Sequence, residues 1–345
     1  MVTGGGYRPR YLVAENEGGQ VLGQLLMLDG FFAAPDIMAN PRLRTLKPLL
    51  SRAFGITTWM QGPLVFSKER FAEVHAALLD QANLRAGWGV FQIGRVTLPF
   101  YQEVALAQRA GEVLLELGFA PQRETTFQLD LGRTTEDLWQ GLKSSARKNL
   151  RKLQEGGRLV VAPLEGPADV NCYWEMLVET QRRSRRFISY PTLADFENKF
   201  WSRPHQQGVL QGMLVRTREG DPVAGLCFRA YNGWIQELGV AYTEFGVRHK
   251  LYGQDLIKWE LMGWGHQRGF RVYDLMGVEV DSADPKRRAI YQFKEKWGGQ
   301  LVEYASYSKV HSPWRAAVVR LGTRIGRRLR DGNRRPPSAP TREER

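Results

Sequence analysis

The sequence is poor in the residues that staple small folds or hold metals. It has 2 cysteines in 345 residues, Cys172 and Cys227, in no CxxC arrangement. That rules out a disulfide scaffold or a zinc ribbon and points to two buried thiols in a reducing compartment. The 5 histidines are scattered without ligand spacing, so no metal is expected. No apolar run approaches the roughly 18 residues that a membrane-spanning helix needs. The opening MVTGGGYRPRYLVAENEGGQ lacks the charged-then-apolar pattern of a signal peptide. The expectation is a soluble cytoplasmic protein, at most in contact with the inner face of the membrane. No GxSxG elbow and no Ser-His-Asp order is present, which argues against a serine nucleophile.

What the chain has is a full apolar complement and excess positive charge. Hydrophobic residues make up 43% of the sequence and 10 are Trp, so a large core is expected, divided between two domains at this length. The net charge of +13 is unevenly spread. Residues 312–345 contain 10 Arg against Asp331, Glu343 and Glu344, a net of 10 − 3 = +7. The tail therefore carries over half of the excess, and polyanions such as RNA, phosphorylated intermediates or an anionic membrane are the expected partners. Within it, Trp314, Val318, Leu321, Ile325 and Leu329 share one helical face, so 312–330 reads as a basic amphipathic helix suited to peripheral membrane contact, to nucleic acid or to docking on the body. Residues 331–345 read as a disordered basic tail.

The second half has clear punctuation. GVLQGMLVRT, PVAGLCFRAY and WIQELGVAY are strand-like, joined by the turn REGD and by Asn232-Gly233, a strong hairpin signal. A helix follows over about 251–267, then the strand FRVYDLM, a helix from the N-cap Asp284 and Pro285 to Gly298-Gly299, and the strand QLVEYASYS. Upstream, helices over about 135–154 and 170–186 flank the strand RLVVAPL. This order matches the acyltransferase fold known as GNAT. The first half reads as a degraded copy: GWGVFQIG ending at Gly94 parallels GFRVYDLMG ending at Gly277, each between two helices. The fold class expected is α+β, with two tandem GNAT-like domains whose mixed central sheets are flanked by helices. Domain 1 is placed at 1–133, completed by 301–330, and domain 2 at 134–300.

Five segments, in order, resemble the Fem family of peptidoglycan bridge-forming aminoacyltransferases. They are WMQGPLVF (59–66), TTFQLDLGRTTEDLWQGLKSSARKNLRKLQEGGRLVV (125–161), ETQRRSRRF (179–187), LIKWELMGWGHQRGFRVYDLMGV (256–278) and IYQFKEKWGGQLVEY (290–304). The resemblance implies transfer of an amino acid from aminoacyl-tRNA, as co-substrate and with no cofactor, to the side-chain amine of a peptidoglycan precursor stem peptide. The acceptor is lipid II or UDP-MurNAc-pentapeptide. The coiled-coil arm of some members has no counterpart here, and the family's acceptor-binding N-terminal segment is not recognisable before residue 59. The resemblance also points to Phe293 and Lys294, the FK pair, as wall and oxyanion-stabilising cation, with Tyr252 and Gly277 beside the substrate.

Other candidates follow from residue chemistry. On a helix starting at Asp284, positions 290, 293, 294 and 297 share a face, so Lys294 is either a snorkelling surface lysine or a cation at the edge of a cleft. Asp274 ends a strand where the sheet should splay. It would take a proton from the attacking amine, anchor substrate, or cap the loop 275–283. An acid-base role for Glu237 is a weaker candidate. Arg183 and Arg186, near Thr180, suit a pyrophosphate. Lys143, Arg147 and Arg151 share a helix sector, with Lys148 and Lys152 beside it, as a solvated face or an RNA contact. Lys286, Arg287 and Arg288 crowd a helix's first turn, where an anion would offset the opposing dipole. The main rival is an acyl-CoA-dependent GNAT enzyme acting on a small amine or sugar, for which GVRHKLYGQD is glycine-poor. A non-catalytic binding protein of the same fold is the third class.

Overall fold

The computed structural model describes residues 8–31, 55–59, 62–67, 69–85, 91–96, 104–184, 188–318 and 320–321. The strands are β1 (Arg8–Glu15), β2 (Val21–Phe31), β3 (Gly55–Trp59), β4 (Leu64–Val65), β5 (Phe91–Val96), β6 (Ala120–Asp130), β7 (Leu159–Pro163), β8 (Leu210–Thr217), β9 (Pro222–Tyr231), β10 (Trp234–Tyr242), β11 (Val272–Val278) and β12 (Gln300–Val310). The helices used below are α1 (Phe71–Arg85), α2 (Val104–Glu116), α3 (Thr135–Gly141), α4 (Ser144–Gly156), α5 (Pro167–Arg183), α6 (Gly253–Gln267) and α7 (Pro285–Glu295).

The chain forms two compact units, one over Arg123–Tyr304 and the other combining the described residues up to Gln122 with those from Ala305. The cut falls at 122/123 rather than at 133/134, because β6 pairs along β11 from Thr125 to Asp130 and so belongs with the second half. The two units repeat one topology. In the first, β1, β2 and β3 form an antiparallel meander, β3 runs parallel to β5, and β5 is antiparallel to β12. In the second, β8, β9 and β10 form the meander, β10 runs parallel to β11, and β11 is antiparallel to β6. Each parallel crossover carries a helix, α1 or α6, as right-handed βαβ geometry requires.

Local chemistry explains the second unit's turns. Asn232 and Gly233 take φ of 51° and 77°, the left-handed pair that a tight hairpin turn demands. Its sheet is packed on both faces. Phe127, Leu129, Ile235, Tyr273 and Leu275 join Ile257, Leu261 and Trp297 on the α6 side, while Cys227 and Leu214 meet Tyr173, Met176 and Phe196 on the α5 side. The helix expected over 135–154 is broken in two at Leu142-Lys143. There the chain around Gly298 passes so close that a side chain at 298 would strike the Gly141 carbonyl at 2.1 Å, and Lys143 N donates to Lys296 O. The glycine pair of KWGG is thus required for this close approach. Of the α7 stripe, only Trp297 is fully buried; Ile290 and Phe293 are half-buried. Among the described residues no helix is long and apolar enough to cross a membrane. The expected helix 312–330 is described only as a helical stretch over 313–318 with 320–321, and the tail 331–345 lies outside the described residues.

Two glycines of α6 separate packing from helix propensity. A Cβ at Gly265 would lie 2.5 Å from Ile235 Cδ1 and 2.7 Å from Leu131 Cδ1, whereas one at Gly263 meets nothing within 4 Å. Gly263→Ala is expected to stabilise the unit by about 0.5–1 kcal/mol through helix propensity. Gly265→Ala is expected to destabilise it by about 1–3 kcal/mol through overpacking. Urea unfolding of both variants checks the pair; equal shifts would contradict the packing of α6 on the sheet.

Candidate active site

Strands β10 and β11 pair only over Trp234–Gln236 and Val272–Asp274, although both continue. Past this point each carries a bulge. In β10 it lies between Glu237 and Gly239, and in β11 between Asp274 and Gly277. The bulges bend the two strands apart and open a cleft in the parallel pair. In β11 the extra residue leaves Met276 at φ 64°, a left-handed conformation that costs energy for a side chain of this kind.

Two charged groups hold that bulge. The Asp274 carboxylate accepts from Met276 N at 2.7 Å and from Thr126 Oγ1 at 2.6 Å. The Lys294 ammonium, reaching across from α7, donates to the carbonyls of Met276 and Gly277, each at 3.0 Å. Lys294 is therefore no free surface lysine. An ammonium has three N–H donors, and these two bonds leave one for a substrate atom. Burial pushes the Lys294 pKa below its ordinary value, and Lys258 adds to the shift while Glu237 and Asp274 oppose it. Burial likewise raises the Asp274 carboxyl, against hydrogen bonds from Thr126 and Met276. Each group is thus eased toward its neutral form.

A second layer of buried charge lies behind. Glu237 accepts from both Lys258 and Tyr273 Oη, with Lys258 1% exposed. Asp255 binds Lys296 at 2.7 and 2.8 Å and Asn149 Nδ2 at 2.8 Å. The half-buried Phe293 ring sits between the two pairs, with Lys296 Nζ 4.3 Å and Lys258 Nζ 5.5 Å from its centroid. Sequence reading missed Lys258, Lys296 and Asp255. A signal for the first was present, since Lys258 lies three and four residues before Leu261 and Met262 on the inward face of α6. Glu237, a weaker candidate from sequence, is ion-paired rather than free to act as a base.

The structure brings Lys294, Asp274, Phe293 and Gly277 together and leaves other candidates apart. Arg183 donates to Glu179 and, at 2.7 Å, to the Tyr242 carbonyl, with its guanidinium 4.5 Å from the Tyr242 ring centroid. With Thr180, which bonds the Tyr242 backbone in both directions, it clamps the end of β10 onto α5. Arg183 thus has a structural task here. Arg186 lies outside the described residues. Tyr252 is exposed, in a left-handed conformation before α6. At the start of α7, Asp284 caps Lys286 N, and Arg287 pairs with Glu279, so the expected three-cation anion site is partly neutralised from within. Lys143 pairs with Glu295 at 2.6 Å, while Arg147 and Arg151 line a surface groove. Among the described residues no group of three or more His, Cys, Asp or Glu is placed to hold a metal.

The Asp274 shift sets a pH test. Its folded pKa lies above the ordinary 3.8, so the folded chain keeps a proton that the unfolded chain has released. The stability from that proton is present below the unfolded value and is lost as pH rises through the folded one. Asp274→Asn keeps an acceptor for Met276 and Thr126 and should gain on wild type as pH rises above the ordinary carboxylate range. Urea midpoints of both proteins measure this, and a pH-independent difference would contradict it.

The acetyltransferase (GNAT) domain family matches residues 141–307. No curated protein matches the sequence. Among solved structures, FemX is similar over 91% of this chain and 91% of its own, with 15% identity and a TM-score of 0.68. The C-terminal domain of an Agrobacterium fabrum protein described as a lysylphosphatidylglycerol synthetase covers 93% of this chain and 89% of its own, at 13% identity and a TM-score of 0.54. L-PGS from Bacillus licheniformis covers 91% and 88%, at 14% identity and a TM-score of 0.51. Residues 141–307 thus resemble a GNAT-type domain, and the chain as a whole has a fold like that of FemX.

Proposed function

We propose that the protein transfers an amino acid from aminoacyl-tRNA to the side-chain amine of a peptidoglycan precursor stem peptide. The observation that carries the reading is Lys294, in the FK pair, with one donor left over beside a cleft in the GNAT-type domain. The likeness to FemX over nine-tenths of both chains supports it. The ester of aminoacyl-tRNA is already activated, so no protein nucleophile is needed. The neutral acceptor amine attacks the ester carbonyl, a C–N bond forms, and the carbonyl oxygen takes negative charge. The remaining Lys294 N–H stabilises that oxyanion from a fixed position. Collapse breaks the ester C–O bond, and the amine's proton leaves with the terminal ribose hydroxyl. Asp274 acts by keeping the bulge carbonyls in place for Lys294. In this reading no cofactor takes part, and aminoacyl-tRNA is the co-substrate.

The acyl-CoA alternative draws little from the geometry. Gly246 and Gly253, the glycines available for a pyrophosphate cradle, are both spent on packing: a Cβ would lie 2.8 Å from Val223 O at the first and 2.8 Å from Ala224 Cβ at the second. The neighbour described as a lysylphosphatidylglycerol synthetase makes a lipid headgroup the acceptor to compare with the stem peptide. The test is transfer of labelled amino acids from a mixed charged-tRNA pool to precursor pentapeptide or to phosphatidylglycerol, with and without ribonuclease. Ribonuclease-sensitive labelling of the pentapeptide is expected, slowed by about 100- to 1000-fold in Lys294→Gln. Labelling of the lipid alone, or turnover of acyl-CoA in place of tRNA, would overturn the reading.

A further inference from the structure

Helices α3 and α4 enclose a surface groove of about 760 Å³ whose charge is one-sided. It is lined by Arg147, Lys148, Arg151 and Lys152 against the single carboxylate of Glu155, with Trp139 as its aromatic wall. Lys148, Arg151 and Lys152 are exposed and carry no ion pair among the described residues. Arg147 is spent in part on the Gln140 carbonyl, at 2.9 Å. The two rows, 147–151 and 148–152, repeat at four residues, about 6 Å along a helix of about 20 Å.

The helix that carries the groove begins against the end of α7. Just before α4, Lys143 N donates to Lys296 O and Lys143 Nζ pairs with Glu295, the residue next to Lys294. Trp139 is held edge-on against Trp259, with centroids 5.2 Å apart, and the Arg151 guanidinium lies 5.8 Å from its ring centroid. A fixed aromatic ring among unpaired cations is the arrangement by which proteins bind single-stranded nucleic acid, stacking bases and tracking phosphates. A helix that inserts into a membrane surface needs an exposed apolar face, and here Ala146 and Leu150 of α4 turn into the core.

We propose that this groove binds the single-stranded 3′ end of the RNA co-substrate and directs it to the Lys294 cleft. The proposal rests on the aminoacyl-tRNA reading and adds the surface, which the chemistry of the cleft does not specify. The experiment is a fluorescence titration of the full chain with two deacylated RNA hairpins, one carrying a short single-stranded CCA 3′ overhang and one blunt, over a series of salt concentrations. The variant is Lys148→Glu/Arg151→Glu/Lys152→Glu, three exposed positions away from the cleft, with vesicles containing phosphatidylglycerol as a parallel ligand.

Wild type is expected to prefer the overhang. The triple variant should bind it about 10- to 100-fold more weakly, with the slope of log affinity against log salt reduced by about 2, three phosphate contacts at roughly 0.7 each. Equal binding of the overhang RNA by variant and wild type would overturn the groove and leave the aminoacyl-tRNA reading standing. So would loss of vesicle binding alone, which makes the face a lipid contact. Failure of wild type to bind either RNA would remove both the groove and the reading on which it rests.

Discussion

The candidate site depends on one short piece of irregular backbone, the bulge at residues 275–276 of β11. Together with the bulge in β10, it turns the two strands apart where their parallel pairing ends. The bulge places Met276 in a left-handed conformation, and the Met276 and Gly277 carbonyls accept from Lys294. Such backbone persists only where its surroundings compensate. Here the compensation is ionic on both sides, with Asp274 taking the freed N–H and Lys294 taking the freed carbonyls. The groups that hold the cleft open are the same groups that supply its charge.

That arrangement requires α7 to be placed accurately, and the buried pairs around it do so. Lys296, two residues beyond Lys294, is bound by Asp255 at the start of α6, which Asn149 of α4 also contacts. Gly298 and Gly299 then pass within reach of the backbones of Gly141 and Gln128. A buried pair adds little net stability, because desolvation offsets attraction, yet removing one partner is costly. Pairs of this kind therefore fix geometry more than they raise stability. They tie α4, α6 and α7 together at the cleft, and the basic groove on α4 is carried by the same framework.

Much of the fold was legible because its signals are local. Asn232-Gly233 marks a hairpin, Asp284-Pro285 a helix start, and alternating apolar residues the meander strands, and each acts over a few residues. The break at Leu142-Lys143 was not legible, since it is imposed by residues 296–298, far along the chain. The exchange that gives β6 to the second unit is likewise non-local. At the site, Lys294 and Asp274 were found as candidates, but what they touch was not, because the bulge is set by pairing with β6. Lys258 and Asp255 went unread because a charged residue is assigned to the surface unless its partner is known, and their partners lie 21 and 41 residues away. The Arg183 contact was not legible either, because the Tyr242 carbonyl lies 59 residues along the chain.

The most direct measurement is a crystal structure of the protein with a terminal adenosine carrying the amino acid through a 3′-amide, a stable stand-in for the ester. The predicted result places the amide carbonyl oxygen within hydrogen-bond distance of Lys294 Nζ, about 2.7–3.2 Å, while the bonds to Met276 and Gly277 persist. An aminoacyl group bound elsewhere, with Lys294 making only its two backbone bonds, would contradict the assignment of this lysine and of the cleft it borders.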